Sequence, residues 1–208
     1  MPSLKGDDTM AMKYIDLMMT ESVCRAQKKY YGHAAKITDA AERDPLSEVA
    51  IEFIAARDSF YLGTVGETGW PYIQHRGGPR GFLRVLNPTT LAFADYKGNR
   101  QLLSTGNISA NDRVALLLMD YPNRERLKIL GHARIEDTRS HPELVAQVAH
   151  PGMRSAMERV VFIDVVSFDW NCSHYITPRY SLAEVEEVVH PLKARIAELE
   201  AEHRAVKT

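Results

Sequence analysis

The feature that most constrains this chain is a series of short apolar segments separated by turn chemistry, running from Ser59 to Asn171. SFYLGTV is followed by Gly66-Glu67-Thr68-Gly69, and PYIQHRGG returns with Pro71 at its first position. A proline there loses no ladder hydrogen bond that matters. GFLRVLN, the turn at Asn87-Pro88 and LAFADY make a second hairpin pattern. RVALLLMD, the turn Tyr121-Pro122-Asn123, RLKILGHARIED and RVVFIDVVSFDWN follow. Strands with links this short pair antiparallel with their neighbours. The near-continuous apolar run of RVALLLMD predicts a strand buried on both faces. About six strands flanked by helices point to a mainly β Greek-key barrel.

Helical patterns flank that block and interrupt it twice. Residues 10–31 read as a helix or helix plus loop ending at Gly32. Asp44 is suited to cap a helix over 46–56, with Pro45 at its first position. A short helix is expected to begin at Gly98-Asn99, and another at His141-Pro142. The segment from Ser181 is helical, with a break at His190-Pro191 and with Leu192, Ile196 and Leu199 along one side. These patterns divide the chain into an N-terminal tail and helix (1–44), a barrel (45–180) and a C-terminal helical tail (181–208), with residues 1–10 as a mobile end.

Composition excludes several classes. Net charge is −1 over 208 residues, and no run of five Lys or Arg occurs, which disfavours nucleic acid or an anionic membrane as partner. The two cysteines, Cys24 and Cys172, form neither a zinc set nor a disulfide framework, and a cytoplasmic home is expected. His132 and His150 lack metal-ligand spacing, so no metal site is expected. No secretory leader is recognisable in MPSLKGDDTM, and no apolar stretch has membrane-spanning length.

Three segments carry candidate chemistry. In DYKGNRQ a strand ends, a glycine turns the chain and a helix begins beside Arg100. Such a terminus with an arginine suits a phosphate, and a capped surface helix is the plainer alternative. In QHRGG, Gly77 and Gly78 permit close approach of the backbone to a flat ligand, or simply a bulge before Pro79. WNCSHYITPR brings Trp170, His174 and Arg179 into ten residues, as a cofactor contact or as an irregular connector. Cys172 beside His174 carries no further sign of a nucleophile pair.

Taken in order, these segments resemble the FMN-binding split-barrel family related to pyridoxamine 5'-phosphate oxidase. The resemblance runs from about Leu46 to Tyr180 through SFYLGTV…GWPYIQHRGGP, LAFADYKGNRQLLSTGNI, NDRVALLLMDYPNRERLKILGHARI and DWNCSHYITPRY. It implies a six-stranded antiparallel split barrel, paired as a twofold homodimer with FMN in each interface cleft. It implies that Gln74, His75, Arg76 and Gly77 lie along the flavin, with Ala94 and Asp95 on a neighbouring strand end. Asn99, Arg100 and Gln101 fall at the phosphate, where Gln101 replaces a lysine of the family pattern. Arg126 falls where the oxidase has a glutamine near the ring. Trp170 and Arg179 match residues that reach the FMN from the second subunit. The function implied is FMN-dependent oxidoreduction of a small molecule, with a nicotinamide donor and with His75 or His174 as candidates for proton transfer. A non-catalytic flavin carrier, or a split barrel for haem or a deazaflavin, is the alternative. Pro79, Tyr175 and Thr177 stand where the true oxidase holds its phosphorylated substrate with Lys and Arg-x-His, so efficient pyridoxamine-phosphate oxidation is not expected.

Overall fold

The computed structural model describes residues 12–34, 41–150, 157–170 and 174–206. The expected mobile tail at 1–10 and Cys172 lie outside them. Two compact units are distinguished: Met1–Met119 with Arg126–Cys172, and Asp120–Glu125 with Ser173–Thr208.

In the first unit, α1 (Met12–Met18), α2 (Glu21–Tyr31) and α3 (Glu48–Ala55) precede β1 (Ser59–Val65) and β2 (Pro71–Gly77). Then come β3 (Arg84–Asn87), β4 (Thr90–Tyr96), α4 (Leu103–Ala110), β5 (Arg113–Asp120), β6 (Glu125–Asp137), α5 (Glu143–Val148) and β7 (Met157–Trp170). The strands form one sheet in the order β2-β1-β5-β6-β7-β4-β3. Among the described residues the sheet has seven strands, one for each of the seven apolar segments of the sequence, where about six were expected; the short β3, within GFLRVLN, pairs with β4 at one edge. The sheet does not close into a ring, and β2 and β3 remain its edges.

Burial follows strand alternation. Leu91 and Phe93 of β4, with Val161, Ile163 and Val165 of β7, join the main core around Phe60, Leu62, Leu116 and Ile129. The intervening Ala92, Ala94, Val160 and Phe162 pack with Val148 and Ala149 at the end of α5. Thus β4 and β7 are covered on both faces. β5 is not, contrary to expectation: Val114, Leu116 and Leu118 are buried, but Ala115 is exposed and Leu117 half-exposed. An apolar run alone cannot show whether a strand has cover on its second face.

Two helix boundaries also differ from expectation. Ser47, not Asp44, caps α3, its side chain accepting from the Ala50 N–H at 3.3 Å. Asp44 instead accepts from the Lys13 and Tyr14 N–H groups in the first turn of α1, at 3.1 and 3.2 Å. Burial raises its carboxyl pKa, opposed by those two N–H groups and by the nearby Lys13 charge. A bulge in β7 explains why the chain docks there. Leu130 pairs with Ser167 and Gly131 with Val165, leaving Val166 unpaired, and its carbonyl accepts from the Asp44 N–H at 2.9 Å.

The second unit contains the β5–β6 turn and α6 (Leu182–Val206). Asp120 accepts from the Asn123 N–H at 3.0 Å, and the Arg179 guanidinium lies 5.0 Å from the Tyr121 ring centroid. Ser181 and Glu184 form a reciprocal cap: the Ser181 N–H donates to Glu184 Oε2 at 2.7 Å and the Glu184 N–H to Ser181 Oγ at 3.3 Å. The helix then runs unbroken through Pro191, where a break was expected. A single proline removes one hydrogen bond, which a long capped helix tolerates when the freed carbonyl meets water.

Candidate functional site

Alternation along β2 sets Tyr72, Gln74 and Arg76 on one face and Ile73 and His75 on the other. The first set lines a cleft of about 250 Å³. Opposite them stand Asp95 and Tyr96 from the end of β4, residues 98–102, the first turn of α4, and Glu158 and Arg159 from the start of β7.

One carboxylate organises this cleft. Asp95 is buried, accepting from Arg76 Nη1 at 2.7 Å and from Arg159 Nε at 2.8 Å. Arg159 lies directly across the β4–β7 ladder from Asp95. Arg76 comes from much farther in the sheet, since β2 is the first strand and β4 the sixth. Their ion pair therefore spans the split left by the unclosed sheet. Arg159 also reaches Glu158 at 3.1 Å. Three guanidiniums, of Arg76, Arg100 and Arg159, face two carboxylates, of Asp95 and Glu158, leaving the lining net cationic.

The other wall is the entry to α4. The helix starts at Leu103, later than the expected Gly98-Asn99. Arg100 and Leu102 adopt left-handed backbone angles, φ 63° and 53°. Asn99 Oδ1 accepts from the Gln101 N–H at 3.1 Å, an Asx turn that consumes both side chains locally. Leu102 provides no side-chain cap, so the first N–H groups of α4 lack helical acceptors. Two bonds fix that terminus against the sheet: Ser104 Oγ donates to Gln74 Oε1 at 2.7 Å, and Asn107 Nδ2 to Thr64 Oγ1 at 2.9 Å.

Of the residues expected at the cofactor, the cleft gathers Gln74, Arg76, Asp95, Asn99, Arg100 and Gln101. His75 instead packs edge-on against Tyr61 at 5.7 Å on the opposite face. Ala94 lines a smaller cleft of about 70 Å³ with Arg80, Arg84 and His150. Gly77 ends β2, and the pair it forms with Gly78 has a packing reason of its own: a Cβ on Gly78 would stand 2.8 Å from Phe82. Arg126, near the start of β6, is half-buried, with its Nε lacking a hydrogen-bond partner among the described residues. Trp170 packs edge-on against Phe53 at 4.9 Å. In the second unit, Arg179 rests on Tyr121, and His174 and Tyr175 are exposed.

Sequence reasoning missed Tyr72, Ser104, Thr105, Glu158 and Arg159. The period of two on β2 was the available signal for Tyr72. Arg159 had none, because only register brings it to Asp95. Among the described residues no cluster of His, Cys, Asp or Glu could hold a metal, and no helix is long and apolar enough to cross a membrane.

No curated protein matches the chain. Similar solved structures include a putative pyridoxamine 5'-phosphate oxidase from Lactobacillus delbrueckii, 22% identical, covering 60% of this chain and 93% of that one at a TM-score of 0.47. HupZ from Group A Streptococcus is 16% identical, over 59% and 91%, at 0.46. A pyridoxamine 5'-phosphate oxidase-related, FMN binding protein from Nostoc punctiforme is 16% identical, over 54% and 74%, at 0.41. Residues 46–163 match the family model described as pyridoxamine 5'-phosphate oxidase, which is more than half of the sequence, and the chain belongs to that family.

Proposed function

We propose that this protein is an FMN-dependent oxidoreductase that acts on a small molecule as a homodimer. The observation that carries the reading is the convergence of Arg100, the uncapped first turn of α4 and the Thr105 side chain on one cationic cleft. A phosphate monoester suits such a set: N–H donors at a helix start, a hydroxyl and a guanidinium. The donors present fit the group, and Arg76 retains a buried Nε with no acceptor among the described residues.

In this reading Arg100 and the α4 terminus hold the phosphate, and the cleft face of β2 orients the ring through Gln74 and Arg76. Bound flavin supplies the electron transfer, while the protein contributes position and electrostatics. Asp95 keeps Arg76 and Arg159 in place while balancing their charge. The outer face of β2-β1-β5 supports a second copy: Ile73 is 70% exposed in one row with Gly63 and Ala115, and His75, Tyr61 and Leu117 form the next row. Apolar surface of this kind marks contact sites, and twofold pairing buries one such patch on its own copy. Trp170 and Arg179 would complete the flavin site across that pairing, and a nicotinamide donor is the expected reductant.

The test is FMN titration of the purified protein and three arginine variants. Arg100→Ala should weaken FMN binding by about tenfold or more, since a charge-assisted bond contributes about 1.5–3 kcal/mol. Arg80→Ala and Arg84→Ala, which line the smaller cleft, should bind as the parent does. Equal dissociation constants for all three would remove the phosphate assignment. Sedimentation of the FMN-loaded protein as a monomer would remove the shared site.

A further inference from the structure

We infer that α6 is a parallel, in-register coiled-coil seam between two copies of this chain. The helix carries an uninterrupted seven-residue pattern. Leu182, Val189 and Ile196 recur at one seat, and Val185, Leu192 and Leu199 at the seat three residues on. These are the a and d positions of a heptad, sustained over three repeats, with His203 at the next a seat. Five of the six apolar seats are exposed and Val189 partly so: Leu182 is 89% exposed, Leu192 58% and Ile196 57%.

The choice of residues at each seat specifies the occupant. In the second and third repeats, Val189 and Ile196 at a with Leu192 and Leu199 at d is the combination that favours two parallel strands; the first repeat, with Leu182 at a and Val185 at d, departs from it. Charge agrees. In a parallel pair each g residue meets the e residue five positions farther along the other helix, so Arg195 of each copy meets Glu200 of the other. An antiparallel pair instead sets g against g and e against e. With the two helices fully overlapped, that would place Arg195 against Arg195, Lys193 against Lys193 and Glu186 against Glu200, each a like-charge pair; opposite charges meet only after a seven-residue slip that takes one end of each helix out of the pairing. Pro191 falls at c, on the outer side of the helix. The carbonyl it leaves without a partner belongs to Glu187 at f, also outward, where water satisfies it. The one helix-breaking residue therefore leaves the seam intact.

The experiment uses the full chain with Cys24→Ser and Cys172→Ser as background. Leu199→Cys places a thiol at a d seat, where a twofold parallel pair brings the two Cα atoms within disulfide reach, about 4.4–6.8 Å. Glu198→Cys, one residue away at an outer seat, is the control. Under mild oxidation at low protein concentration, Leu199→Cys should give covalent dimer at least tenfold faster than Glu198→Cys. Arg195→Glu added to Leu199→Cys should slow the reaction, and Arg195→Glu with Glu200→Arg should restore it. Residues 195 and 200 lie too far apart around one helix to pair within it, so restoration reports an interchain contact. Equal rates for the two cysteine variants, or no restoration by the charge exchange, would overturn the seam. Pairing through the barrel alone leaves the two cysteines equivalent, so it is read as the first of these outcomes.

Discussion

Asp95 and Arg159 face each other across the β4–β7 ladder, with Oδ2 and Nε 2.8 Å apart, and the other oxygen of the same carboxylate holds Arg76. Both arginine side chains are about four-fifths buried. Removing the carboxylate leaves two guanidiniums confined without their counter-charge. Asp95→Ala is expected to destabilise the fold by about 3–5 kcal/mol, the range for breaking a buried ion pair from one side. Urea unfolding measures this, and a loss under about 1 kcal/mol would show that the pairs are solvated and loosely held.

A glycine contrast tests the packing. A Cβ on Gly131 would lie 2.6 Å from the Asp164 carbonyl oxygen and 2.8 Å from Ile163 Cγ2 at the β6–β7 bulge. Backbone cannot yield there cheaply, so Gly131→Ala should cost about 1–3 kcal/mol. Gly106, within α4, has nothing within 4 Å of the same added atom. Gly106→Ala should stabilise by about 0.4–1 kcal/mol through the unfolded state. Thermal melts moving in opposite directions are the expected result; two melts moving together would contradict the packing read at the bulge.

Arg126 bears on the flavin reading. A fixed cation near the pyrimidine edge of the ring stabilises the reduced anion more than the neutral oxidised form, raising the reduction potential. In the proposed flavin site, where the resemblance sets Arg126 beside that edge, Arg126→Gln should therefore lower the midpoint potential with FMN still bound. Redox titration of parent and variant decides it, and an unchanged potential would mean that this side chain does not sense the ring.

Pyridoxamine phosphate should be a poor substrate. Pro79, Tyr175 and Thr177 bring no charge to a phosphate dianion, and such recognition depends on charged donors. Turnover approaching the typical enzyme median of about 10 per second would refute this.

Local sequence determined the strands and most of their ends. Turn residues at Gly66–Gly69, Asn87-Pro88 and Tyr121–Asn123 each mark a chain reversal, because their backbone preferences act within three or four residues. The same locality made Arg100 and Gln74 legible as site residues: one stands at a helix entry, the other on a strand whose alternation can be counted. Other features depend on distant partners. Asp44 reads as a local cap, yet it anchors α1 because the unpaired Val166 carbonyl holds the chain elsewhere. β5 reads as doubly covered, yet only neighbours could cover its second face. Arg159 carries no local mark, and it enters the cleft because register sets it beside Asp95, 64 residues away. Arg76 meets that carboxylate only because a twisted sheet brings its first and sixth strands together. Propensity and turn chemistry act over a few residues, whereas register, curvature and burial belong to the assembled sheet; the strands were therefore readable from the sequence, and the charge cluster at the split was decided by tertiary structure.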